Sequence, residues 1–271
     1  MTAPAPEPRV PVWVPFAVLA AVIVVIGIFG IAAVGVLAAA DPSIKASNPP
    51  DWVTIALTIV QDAAFVFAAW IAVRLARGGA RPVDFGVVRP ALPIRRVVLW
   101  MAILYTAFWV IAGVLVTIFG QPPDQEIVTE LKQQSSFLVL AGYAVLTCMF
   151  APFAEEFFFR GFMFTVLARR LGPVWGALIV GAVFGLVHAP GSPLLGVLVL
   201  GVFGVGQCVL YVRTRSIIPC MALHAIHNSI SFASTKSLPV WEFAGLAAVS
   251  AAVVVTVAGA AARTASPAVT G

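Results

Sequence analysis

The chain is dominated by apolar runs longer than any water-soluble core needs. From Trp13 to Ala40 it carries no charged residue, and runs of similar character extend over about 52–73, 97–119, 137–168, 173–189, 194–212, 216–233 and 240–262. Roughly 20 apolar helical residues cross the hydrocarbon of a bilayer, so the expected fold class is all-α, a polytopic membrane helix bundle of about eight transmembrane helices. The first run is too long for the apolar stretch of a cleaved leader and is read as a retained helix. The fifth and seventh runs are short and are expected to be buried inner helices. Breakers part most of the runs, among them Asn48-Pro49-Pro50, Gly78-Gly79, Gln121-Pro122-Pro123 and Pro190 to Pro193. Charged residues make up only 10% of the 271, against roughly a quarter in soluble domains.

The net charge of +5 would point a soluble chain towards nucleic acid. In a membrane chain it is topology information, because short cytoplasmic loops collect Lys and Arg. With eight spans and the N-terminus inside, one side of the bilayer holds Arg9, Arg74, Arg77, Arg81, Arg89, Arg95, Arg96, Arg169, Arg170, Arg213, Arg215 and Arg263. The other side holds Lys45, Lys132 and Lys236. This asymmetry predicts a multi-pass protein of the cell membrane with both termini cytoplasmic. Cys148, Cys208 and Cys220 lie in apolar runs without paired spacing and are read as small packing residues.

Ionisable side chains inside a bilayer are costly and mark function by default. Within the spans they are Asp62, Glu155, Glu156, Arg160, His188, His224 and His227, with Asn228 as a polar companion. Two adjacent carboxylates repel each other, so one needs a partner or a proton. Glu156 and Arg160, four residues apart on one helix face, can pair. Glu155 then points about 100° away and is free to act as a base. The plain alternative is a buried ion cluster that only fixes helix packing. His188 follows Phe184 by four residues, and alone it reads more readily as a hydrogen-bonded packing residue. His224 and Asn228 share a face one turn apart and can both donate into one cavity, and His227 can join them. At 1.5 Å per helical residue from the basic ends, Glu155, Asn228 and His188 lie about 20–24 Å deep and His224 about 13 Å. A single buried site is therefore geometrically possible.

These letters, EExxxR followed by Gly, then FxxxH, then HxxxN on successive apolar helices, resemble the CPBP family of intramembrane peptidases. That family includes the type II CAAX prenyl proteases and bacterial proteins linked to bacteriocin self-immunity. The resemblance covers about 140–233, and Asp84-Phe85-Gly86-Val87 resembles a common loop of the family. It implies that Glu155 and His188 activate a water, that His224 and Asn228 stabilise the oxyanion, and that Glu156 with Arg160 holds the carboxylates. Phe184 and His227 are supporting residues. The motifs require no cofactor. Glu155, His188 and His224 could ligate zinc, yet there is no HExxH.

The expected organisation is a disordered tail over 1–12, N-terminal transmembrane helices and loops over 13–136, a catalytic core over 137–233, and a last helix with its tail over 234–271. The expected function is an intramembrane endopeptidase. Its partners would be the bilayer and a membrane-associated or lipidated peptide or protein, with no nucleic acid. The rivals are a non-catalytic scaffold or immunity factor of the same fold, and a transporter. No inverted repeat supports the transporter. Asp62 falls outside the three motifs and is read as a structural partner for a neighbouring helix.

Overall fold

The structure, a computed structural model, describes residues 10–45 and 49–264. Most of the tail expected over 1–12, Arg9 with it, and the last seven residues of the 234–271 segment lie outside these residues. The described chain folds into nine helices. They are α1 (Val14–Ala40), α2 (Asp51–Arg77), α3 (Ile94–Phe119), α4 (Glu126–Gln133), α5 (Phe137–Leu171), α6 (Pro173–Leu186), α7 (Leu194–Thr214), α8 (Ile218–Thr235) and α9 (Val240–Thr264). Six of them, α1, α2, α3, α5, α7 and α9, are long and apolar enough to cross a bilayer. The protein is a multi-pass membrane protein.

The two short runs part company. In α8 most side chains are buried, including Met221, His224 and Ala225, as expected of an inner helix. Helix α6 is not wholly inner, because Val174, Trp175, Leu178 and Leu186 are exposed. Its other face packs on α7, where a Cβ on Gly181 or Gly185 would collide with Val205 or with the Val197 carbonyl. Small residues let two backbones approach where no hydrophobic drive separates helix from lipid.

Helix α5 is continuous but irregular, with wider π turns over Leu146–Phe150 and Phe157–Phe164. Such turns re-aim side chains and loosen the hydrogen-bond ladder, and they recur at functional sites. Below its second π turn sits the loop of Asp84 to Val87. Asp84 pairs with Arg77 at 3.0 Å and accepts from the Arg81 amide at 2.8 Å. Phe85 is fully buried and stacks on Phe157 with centroids 4.3 Å apart. Gly86 has φ of 72°, where a Cβ would also strike the Tyr211 ring, so only glycine serves. Gly161 makes room for the Phe85 carbonyl, which a Cβ there would approach to 2.7 Å.

The helix ends sort into two sets. The Ile217 amide donates to the Gly86 carbonyl and the Ala91 amide to the Thr214 carbonyl, which ties the α2–α3 loop to the α7–α8 turn. Arg213 lies over Trp100 at the start of α3. At the opposite end, Gln134 donates to Asp51 at 2.8 Å, and Lys236 donates to the Leu131 and Gln134 carbonyls. The arginine-bearing loops thus share one end and the lysines 132 and 236 the other.

Candidate active site

A cavity of about 320 Å³ lies between α2, α4, α5, α6, α7 and α8. Glu155, Phe184, His188, His224, His227 and Asn228 all line it. Three segments far apart in sequence therefore meet in one place.

The adjacent glutamates have different surroundings. Glu156 is fully buried and its Oε1 accepts from Arg160 Nη1 at 2.9 Å and contacts His224 Nδ1 at 2.8 Å. Arg160, equally buried, also donates to the Gly204 carbonyl at 3.0 Å and lies 4.6 Å over the Phe184 ring. Glu155 turns to the cavity, with 17% of its side chain exposed and Oε2 lacking a hydrogen-bond partner. His224 Nε2 stands 3.9 Å from Glu155 Oε2. That is too long for a hydrogen bond and short enough for one water to touch both.

The FxxxH spacing has a local cause. His188 Nδ1 lies 2.7 Å from the Phe184 carbonyl. In a neutral ring this places the proton on Nδ1 and leaves Nε2 as the acceptor. The short 3₁₀ turn Ala189–Gly191 ends the helix directly after it. Asn228 Nδ2 donates to the Thr147 carbonyl at 2.8 Å, inside the first π turn of α5. The amide nitrogen has two hydrogens, so one remains for the cavity. His227 lines the cavity but sits in an aromatic cage. It stacks on Phe203 at 4.5 Å, and its Nδ1 is 3.4 Å from the Tyr105 hydroxyl.

Two polar groups beyond the motifs belong to this cluster. Gln207 is fully buried, with Nε2 donating to the Cys220 carbonyl at 3.0 Å and lying 3.5 Å from Glu156 Oε1. An amide inside an otherwise apolar helix was the available signal. Asp62 is 4% exposed, its Oδ2 has no hydrogen-bond partner, and it lies within electrostatic reach of Glu155. It does not line the cavity itself. The cysteines are free and buried, and Cys220 Sγ donates to the Gln207 carbonyl at 3.4 Å.

As arranged, Glu155, His188 and His224 do not fit zinc. Among the described residues no three His, Cys, Asp or Glu side chains converge at ligand spacing. The arrangement instead offers a carboxylate with a free oxygen, an acceptor imidazole and an amide donor around a cavity of about 320 Å³.

Residues 137–230 match the family model described as type II CAAX prenyl endopeptidase Rce1-like. The match covers about a third of the chain and contains all three motifs. The resemblance to intramembrane peptidases read from the motif letters is thereby met by a protease family. The cavity also takes Thr54 and Thr58 from α2 and Gln125 beside α4, outside the matched segment. No curated protein and no solved structure matches the chain.

Proposed function

We propose that the protein is an intramembrane endopeptidase that hydrolyses a peptide bond of a membrane-associated or lipidated peptide or protein, with residues 137–233 as its catalytic core. The observation that carries this reading is the division of labour between the two glutamates. Glu156 accepts from Arg160 and contacts His224 away from the cavity, while Glu155 lines the cavity and makes no hydrogen bond through Oε2.

In this mechanism a water sits between Glu155 Oε2 and His224 Nε2, and the acceptor nitrogen of His188 faces the same cavity. Glu155 takes the water's proton as the oxygen attacks the scissile carbonyl carbon. Asn228 faces the oxyanion that forms with its remaining amide hydrogen, and His224, its Nδ1 held by Glu156, joins through Nε2 when its ring carries both protons; such fixed donors act in a water-poor setting. The proton then passes to the leaving nitrogen as the C–N bond breaks, which yields a carboxylate and an amine. Glu156 and Arg160 touch none of the reacting atoms and are positioning residues.

The test is quantitative comparison of protein termini in cells carrying wild type or Glu155→Gln at equal expression. The substitution keeps the size of the side chain and removes the base, so cleavage should fall by about 10²–10⁴-fold and an uncut precursor should accumulate. Identical termini in the two strains would favour the non-catalytic scaffold.

A further inference from the structure

The cavity is closed at one end of the bundle and extends to the other. Towards the arginine-bearing end, Glu156, Arg160, Gln207, Cys220 and Met221 pack solidly at 0% exposure, and none of them lines the cavity. From Glu155 and His224 it runs past Thr147 and Asn228 to Thr58, Thr54, Ser231 and Thr235. No residue of the α2–α3 loop, the α5–α6 turn or the α7–α8 turn lines it. Those connections carry the arginines, whereas the cavity rises towards the end that carries Lys132 and Lys236.

Helix α4 lies across this mouth. Gln125, Ile127, Val128 and Leu131 line the cavity. The C-terminal end of α4 is tied to α2 through Gln134 and Asp51, and to the α8–α9 turn through Lys236. Its N-terminal end reaches the α6–α7 connection, where Glu126 and Gln125 lie beside Gly191 and Gly196.

Cytoplasmic loops collect arginine and lysine, and the arginine-rich end is the closed one. We propose that the site opens to the extracytoplasmic face beneath α4. Its substrate is then an exported or membrane-inserted polypeptide with the scissile bond in the outer half of the bilayer, and not a tail presented from the cytoplasm. The substrate assignment rests on the peptidase reading, and the orientation does not.

Accessibility of introduced thiols tests the orientation, since the three native cysteines are buried. Ser231→Cys at the mouth, Lys132→Cys on α4 and Arg89→Cys at the closed end are each treated with a membrane-impermeant maleimide. Ser231→Cys and Lys132→Cys should label in intact cells and Arg89→Cys only after lysis. The reverse pattern overturns the proposal. In parallel, protein termini that disappear in Glu155→Gln cells should map to extracytoplasmic or outer-leaflet segments, and cuts in cytoplasmic tails overturn the substrate class. Inward labelling of the mouth with Glu155-dependent termini overturns the orientation and leaves a peptidase. Outward labelling with no Glu155-dependent termini overturns the peptidase reading and its substrate, and leaves the orientation standing.

Discussion

At the residue scale, the Glu156–Arg160 pair holds the site together. Both side chains are fully buried, so neither can fall back on water if the other is removed. Arg160→Ala or Glu156→Gln should therefore lower stability by roughly 3–5 kcal/mol, measured as folded yield and thermal unfolding in detergent. Unchanged unfolding would show that the pair contributes little. Asp62 should behave in the opposite way. An unpartnered buried carboxylate oxygen costs free energy, so Asp62→Asn should unfold at the same temperature as wild type or higher. The donor geometry predicts that the purified protein keeps its activity after treatment with a strong zinc chelator. Loss of activity that added zinc restores would mean that Glu155 and the histidines rearrange around a metal.

At the element scale, the α6–α7 contact and the π turns of α5 do most to place the groups. Gly204 shows the link, since its carbonyl accepts from Arg160 while a Cβ on it would press on Gly181 and Phe184. Gly181→Leu should push α7 away from α6 and disturb the ion pair together with the interface. Overpacking of this kind costs typically 1–3 kcal/mol. The check is thermal unfolding alongside activity, both of which should fall. A fall in neither would show that the two helices adapt without strain. The glycine spacing of Gly181 and Gly185 was visible as letters. Its partners Gly201 and Gly204 became apparent only when the two helices were seen side by side.

At the scale of the whole molecule, α4 joins three otherwise separate parts of the lysine-bearing end. Lys236→Ala removes two charge-assisted bonds that hold the end of α4, to the Leu131 and Gln134 carbonyls at 3.1 and 2.8 Å. The expected result is faster maleimide labelling of Ser231→Cys with the bundle still folded. An unchanged labelling rate would mean that α4 is held by its apolar face alone.

The sequence by itself determined the class of solvent, most of the helices and the polar residues that meet in the cavity. Burial in lipid demands long apolar runs, and every ionisable group inside them is conspicuous against that background. The pairing of Glu156 with Arg160 was legible for the same reason, because i, i+4 neighbours meet on any helix. Tertiary structure alone decided the rest. Gln207 entered the site through contacts with residues 13 and 51 positions away. Asn228 was turned to a carbonyl in an irregular turn of α5, and His227 was drawn into an aromatic cage. Helix α6 kept one face exposed because its partner, α7, covers only the other. No apolar run marks α4, which carries Glu126, Glu130 and Lys132 beside its apolar residues, and its role comes from what it covers. Local periodicity is written into neighbouring residues, whereas which helix meets which depends on the shape and hydrogen bonding of surfaces far apart in the chain.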